Sequence, residues 1–429
     1  METLRPVEVS EYYINRVASG LSKYFWDNIF SEIFTILKDN TVINSKDDVI
    51  NAIKSGKIWY ERGAFRTKDR FTNAVAFTLE KMGAKYRNRA YYIPKTAIPF
   101  EYLQALGIQA TQAAAKGNAI AKFLSGLTLS QVDLNFFIQS TVELMFKKLQ
   151  LDILKSAQEK KIPVIELGIA QPDIKLPKAK TKPVEQYWKE HDKKAEKLRE
   201  AIKKADKKGE DTAELKGQLQ DLNRDAFENA PQLDIKIDDL KLDAKSRKIA
   251  EDYTYNMQYW VKKWETKNIV KMRQDVLQMV QEGARIERIA EYFEKRWKIA
   301  KNKALFLATQ ESHLAGSVIK ATDYQAMGCE SFRWLRSTSK EKRKLHETYY
   351  GRTFKFNEPP VIDEDLGITG LPRQIWNCKC QMSPVIPDVY TMMENKKEFN
   401  KKYGIFGKIN NNKSNQWQYF RFGVRNERF

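Results

Sequence analysis

Soft metal ligands are scarce in this chain, which has three cysteines and three histidines among 429 residues. So few cysteines cannot build a disulfide framework, which excludes a small disulfide-stapled fold and fits a reducing compartment. No apolar run approaches the roughly 20 residues that span a bilayer. The start, Met1-Glu2-Thr3-Leu4-Arg5-Pro6, has no basic segment followed by an apolar run, so no secretory leader is expected. The expectation is a protein made in a cytoplasm, soluble and without a membrane partner. Walker, G-x-G-x-x-G, G-x-S-x-G and H-E-x-x-H signatures are missing, which removes the commonest nucleotide, hydrolase and metalloprotease readings. No internal repeat is visible.

Acidic residues are also in deficit, 55 against 75 basic, for a formal net charge of +20. A positive excess recurring along the chain favours a polyanionic partner such as nucleic acid, although charge of this kind also serves solubility. Hydrophobic residues make up 42 %, enough to bury sizeable cores, and the length calls for more than one domain.

What is present reads mainly as helix. Leu21, Tyr24, Phe25, Ile29, Ile33 and Leu37 recur at three- and four-residue steps. Ser45 with Asp48 forms a capping-box pattern, and Gly56 closes that short helix. Phe71 to Met82 reads as a helix stopped by Gly83, Lys85 to Ile93 as a strand, and Ala105 to Leu124 as a helix rich in small residues. Ser130 and Asp133 start another helix that runs toward Gln158. Pro163, Pro172, Pro177 and Pro183 punctuate the next stretch as a linker. Glu185 to Asp225 is charged and helical, with Glu–Lys pairs four apart, and reads as a solvated hairpin or projecting coil. Helices resume at Ala244, one ending at Gly283, a second from Arg285 to Trp297 and a third from Lys301 to Met327, closed by Gly328. Strands are expected at Glu330 to Trp334, Thr353 to Phe356 and Trp376 to Met382.

The fold expected is mainly α, with elongated helical N-terminal and middle regions and a small α+β C-terminal domain. The boundaries are residues 1–158 (helical), 159–243 (linker and charged insertion), 244–387 (the α+β domain) and 388–429 (a basic aromatic tail).

The scarce ligands gather in one place. All three cysteines, Cys329, Cys378 and Cys380, and two histidines, His313 and His346, lie between Leu305 and Ile386. Cys378 and Cys380 are two apart, so in an extended strand both thiols leave one face. With His346, and either Cys329 or His313 as a fourth ligand, they form a candidate zinc site. C-x-C is not the usual zinc-knuckle spacing, and a buried cysteine is commonly a small hydrophobe.

Other readings compete. Glu311, Arg343, Lys344 and His346 have the chemistry of a base, phosphate clamps and an acid for phosphodiester cleavage. The plainer alternative has Glu311 pairing with an arginine and His346 hydrogen-bonded within the domain. Lys340, Lys342, Arg343 and Lys344 form a dense basic run near Trp334, suited to non-specific contact with double-stranded DNA. The tail interleaves Trp417, Tyr419, Phe420, Phe422 and Phe429 with Arg421, Arg425 and Arg428.

The same stretch resembles the C-terminal domain of tailed-phage minor head proteins, the phage Mu protein F-like or head-morphogenesis group. Leu307-Ala308-Thr309-Gln310-Glu311-Ser312 stands for that family's opening helix motif, with Thr309 where Arg is preferred. Gly328 and Trp334 follow. Arg343, His346 and Gly351 then keep the Arg-x-x-His-x-x-x-x-Gly spacing, and Pro372 with Asn377-Cys378-Lys379-Cys380 forms the close, Lys379 replacing Arg. The acidic residue usual before Arg-x-x-His is missing at Ser339-Lys340-Glu341. The resemblance implies structural roles for Glu311, Trp334, Arg343, His346, Gly351, Asn377, Cys378 and Cys380. It also implies a minor capsid protein present in few copies inside the head near the portal. Such a protein binds the portal and other head proteins, and acts in head assembly and in packaged-DNA retention or ejection, without catalysis or a required cofactor. The alternatives are a phage-encoded nuclease or effector using His346 and Glu311, and a portal adaptor without DNA contact. Residues 1–158 are expected to supply the partner contact and the C-terminal domain to face DNA.

Overall fold

A computed structural model describes residues 3–38, 43, 45–127, 135–160, 178–229, 231, 234–242, 244–327, 329–336 and 343–386. Lys340, Lys342, Gly328, the linker at 161–177 and the tail from 388 onward lie outside them. The chain divides into two units, Met1–Ala18 with Asp133–Gln258 and Leu305–Phe429, and Ser19–Val132 with Tyr259–Ala304. Each is drawn from separated stretches, where the sequence reading cuts the chain into consecutive blocks.

The elements in chain order are α1 (Glu11–Phe25), a π-helical turn (Trp26–Phe30), α2 (Ser31–Leu37), α3 (Lys46–Ser55), β1 (Trp59–Glu61), β2 (Ala64–Arg66) and α4 (Asn73–Lys81). They continue with β3 (Lys85–Arg87), β4 (Ala90–Tyr92), α5 (Phe100–Gly126), α6 (Asn135–Glu159), α7 (Lys178–Lys208) and α8 (Ala213–Asn229). Last come α9 (Ala244–Gln281), α10 (Ile286–Ala326), β5 (Ser331–Leu335), α11 (Lys344–Glu347), β6 (Thr353–Lys355), β7 (Val361–Asp363), β8 (Ile368–Thr369) and β9 (Gln381–Val385). Among the described residues no helix is long and apolar enough to cross a membrane.

In the second unit the capping box forms as read, Ser45 N donating to Asp48 Oδ2 at 2.7 Å and Asp48 N to Ser45 Oγ at 3.3 Å. The apolar period of the first helices buries Phe25, Ile29, Phe30 and Ile33, with Phe25 against Trp264 and Phe30 against Trp297. Gly117 lets α5 close on α9, because a Cβ there would come within 2.3 Å of Val280 Cγ2. The single strand expected over 85–93 is instead a hairpin, since Asn88 and Arg89 both take positive φ, the geometry of a tight two-residue turn. A further hairpin, β1–β2, completes an antiparallel sheet in the order β1-β2-β4-β3. Its apolar side joins Val49, Ile53, Val75, Leu79 and Tyr102 in one core. The region read as mainly helical with one strand therefore carries a four-stranded sheet.

In the first unit, α7 and α8 form the charged hairpin. Tyr187 hydroxyl donates to Ala226 O at 3.2 Å and His191 Nε2 meets Asn223 Oδ1 at 3.1 Å, so the pairing runs antiparallel. Pro183 lies inside α7 near its start, not in the linker, where losing one backbone donor removes little of a 31-residue helix. The two helices expected over 285–327 are one helix of 41 residues. No proline or glycine falls between Trp297 and Lys301, so nothing in the backbone chemistry breaks it. Beyond it, β6-β5-β9 form an antiparallel sheet. Alternation along β5 buries Phe332 and Trp334, which face Phe354 and Met382 across the ladders. β9 carries Pro384, which an outer strand tolerates because its missing N–H need not serve the ladder.

Candidate metal centre

The chain enters the site through β5. Trp334 N donates to Arg352 O and Gly351 N to Trp334 O, both at 2.8 Å. Gly351 takes φ +79, a left-handed conformation that needs a residue without Cβ. This turn sets the short helix α11 against the sheet, so that His346 packs edge-on to the Trp334 ring at 5.2 Å between centroids.

On the other side runs an irregular stretch from Leu371 to Cys380, held largely by side chains of α10. Gln310 Oε1 accepts from Asn377 N at 2.8 Å, and Gln310 Nε2 donates to Ile375 O at 3.4 Å. Ser317 Oγ donates to Pro372 O at 2.7 Å, and Phe306 stacks on Trp376 at 5.4 Å. Asn377 sits at φ +58, one of the few residue types that accept this conformation. Arg343 reaches across to donate to Trp376 O at 2.9 Å.

These constraints bring His346, Cys378 and Cys380 together, all buried, with their ligating atoms within 4.8 Å of one another. Cys378 Sγ is 3.6 Å and Cys380 Sγ 3.7 Å from His346 Nδ1. His346 Nε2 lies 3.1 Å from Ile362 O, and because a carbonyl only accepts, Nε2 carries the proton. The bare Nδ1 then faces both sulfurs. Arg373 N donates to Cys378 Sγ at 3.4 Å. The neighbouring Cys380 S–H, and further out the Arg373 amide, hold the Cys378 thiol well below its usual range. The Cys378 sulfur and burial push Cys380 the other way.

The two cysteines converge, but not from a strand as expected: β9 begins only at Gln381, and Cys378 to Cys380 lie in the run before it. Neither expected fourth ligand joins them among the described residues. Cys329 is buried elsewhere, its amide donating to Tyr324 O, and burial raises its thiol to about 12. His313 lies against Glu8, Nδ1 to Oε2 at 3.8 Å, and burial followed by Arg373, Lys320 and Lys379 pushes it down to about 3.

That Glu8 cluster escaped the sequence reading. Lys320, fully buried, donates to Val7 O at 3.0 Å and pairs with Glu8 at 3.4 Å, while Arg373 reaches Glu8 Oε2 at 3.0 Å. It ties the N-terminal segment to α10 and to the stretch bearing the cysteines. The available signal was a lone lysine in the apolar run Leu314 to Ala321.

Glu311 is buried and accepts from Asn256 Nδ2 at 3.4 Å, while Ser312 Oγ meets the Tyr253 hydroxyl at 3.2 Å. It therefore faces α9, whereas its neighbour Gln310 faces the cysteine turn. A cleft of about 410 Å³ is lined by Arg343, Lys344, Leu345, Ile362, Asp363, Glu364, Asp365, Leu366, Ile375, Trp376 and Asn377. Neither Glu311 nor His346 lines it. Arg343 and Lys344, from the basic run, are exposed.

Residues 270–383 match the family model of phage Mu protein F like protein. This phage Mu F-like segment contains every motif residue named above, from Glu311 through Trp334, Arg343, His346, Gly351 and Asn377 to Cys378 and Cys380. No curated protein and no solved structure matches the chain. Within the segment, the opening helix motif and the closing Asn-Cys-Lys-Cys motif touch through Gln310 and Asn377, which gives the ordered set a physical basis.

Proposed function

We propose that the protein is a minor head protein of a tailed phage, acting in head morphogenesis at the portal and in retaining or ejecting packaged DNA. The observation that carries this reading is the phage Mu F-like segment at residues 270–383. The reading places the protein in the virion, inside the head, with the host cytoplasm as its place of assembly. Two features support its finer parts. The net charge of +20 suits a hydrated, counterion-releasing contact with double-stranded DNA, in which Lys340, Lys342, Arg343 and Lys344 take part. The second unit exposes Phe77, Tyr86 and Phe100, apolar area available to a protein partner such as the portal.

The enzymatic alternative draws little support from the site. A general acid or base needs a ring nitrogen free to meet substrate. Both nitrogens of His346 are engaged inside the fold, and Glu311 is buried against α9.

The test uses the full chain, because fragments such as 1–158 or 268–429 cut through both units. Co-expressed with a candidate portal protein, the protein should co-purify with portal and enter particles. Its binding to non-specific duplex should weaken steeply with salt. Replacing Lys340, Lys342, Arg343 and Lys344 by Gln should lower the log–log salt slope by up to about 3.6. A chain that ignores both portal and particles refutes the assembly role, and a flat wild-type slope refutes the DNA contact.

A further inference from the structure

We propose that His346 Nδ1, Cys378 Sγ and Cys380 Sγ together bind one zinc ion that staples the irregular half of the C-terminal domain. The inference is independent of the head-protein reading.

The first argument is metric. Zinc–sulfur bonds of about 2.3 Å and zinc–nitrogen bonds of about 2.0–2.1 Å, at tetrahedral angles, put a sulfur and a nitrogen ligand about 3.6 Å apart. The two sulfur–nitrogen distances here are 3.6 and 3.7 Å. Both sulfur–nitrogen edges thus already have the length a zinc ion would impose, and the sulfur–sulfur edge, within 4.8 Å, closes to the required ~3.8 Å by a small side-chain shift.

The second argument concerns the lone pair. Neutral His346 has one acceptor, Nδ1, and two sulfurs stand at nearly equal distance from it. One lone pair cannot take two in-line S–H donors. A cation between the three atoms satisfies all of them at once. Both surrounding contacts agree with that arrangement. The Nε2–H to Ile362 O bond fixes the tautomer and ring orientation needed for ligation through Nδ1. The Arg373 amide donating to Cys378 Sγ suits a sulfur that carries negative charge.

The third argument is need. Between Leu335 and Gln381 the described backbone has only α11 and three short strands of two or three residues. His346 lies on α11, its Nε2 partner at Ile362 lies on β7, and the thiols lie just before β9. One ion joins α11 to the run before β9, and the Nε2 bond ties β7 to the same point, where small loop-rich folds commonly use a metal. Three protein donors leave the fourth corner to a ligand from outside the chain.

Full-length protein, expressed with zinc in the medium and purified without chelator, should hold about one zinc per chain. Titrating the wild type with a mercurial thiol reagent should release that zinc as two thiols react, a readout that needs no variant. Cys378→Ser and Cys380→Ser should each lose the metal, while Cys329→Ser, at a buried cysteine outside the cluster, should keep it. Replacement by cobalt should give thiolate-to-cobalt charge-transfer absorption in the wild type and in Cys329→Ser, and none in Cys378→Ser or Cys380→Ser. Folded wild type that carries no stoichiometric zinc and whose thiols titrate freely would overturn the proposal. So would a Cys378–Cys380 disulfide in freshly prepared protein, or zinc that survives loss of both thiols.

Discussion

The α7–α8 hairpin and the stretch from Arg343 to Cys380 belong to the same unit, yet they keep their shape by different means. In the hairpin the backbone satisfies itself through helical bonds. The buried seam is narrow, formed by Trp188, His191, Ala195, Leu219, Asn223 and Ala226, and most other side chains are charged and solvated. In the second stretch regular structure is sparse, and backbone groups find partners on side chains: Asn377 N and Ile375 O on Gln310, Pro372 O on Ser317, Ile362 O on His346, Trp376 O on Arg343. A buried backbone group must be paired somewhere. Where helices do the pairing, many sequences serve. Where side chains do it, each named residue becomes necessary, and the stretch reads as a motif.

This contrast predicts a ranking of substitutions. Gln310→Ala should have the larger effect, because it leaves the Asn377 amide and the Ile375 carbonyl without their partner. The cost should be about 1–3 kcal/mol, read by denaturant unfolding, with faster amide exchange confined to residues around 372–380. An unchanged exchange pattern there would mean that the cysteine turn is held by something other than α10. The smallest effect should come from the hairpin surface. Arg224 pairs with Asp221 on α8 with both side chains more than half exposed, so Arg224→Ala should move stability by less than about 0.5 kcal/mol. A loss as large as that of Gln310→Ala would erase the distinction between the two regions.

The parts legible in the sequence follow the same division. Helices with long apolar periods, the Ser45 capping box and the charged hairpin could all be read locally, because their determinants lie within a few residues of one another. The β1–β4 sheet could not. Its strands are three residues long, too short for an alternating pattern to register, and the Asn88-Arg89 turn lacks the usual glycine. The sequence reading cuts the unbroken α10 at Lys298, although Lys298-Ile299-Ala300-Lys301 contains neither proline nor glycine and buries Ala300 in the middle of the helix. In the site, the scarcity of cysteine and histidine pointed to His346, Cys378 and Cys380. The choice between Cys329 and His313 as a further ligand depended on tertiary packing that spacing does not encode. Gln310 looked like an incidental member of the opening motif, and only the fold shows it holding the closing one. The Glu8–Lys320–Arg373 cluster joins residues more than 300 positions apart, beyond the reach of any local pattern.

The geometry of the site rests on one proton, the one that His346 carries on Nε2 for the Ile362 carbonyl. With three histidines in the chain, selective labelling gives only three imidazoles to assign by nitrogen-15 resonance. The account predicts that His346 is protonated at Nε2 and bare at Nδ1, with the Nδ1 resonance shifting when the metal is stripped by a chelator. A His346 protonated at Nδ1, or a bare Nδ1 indifferent to metal removal, would contradict it.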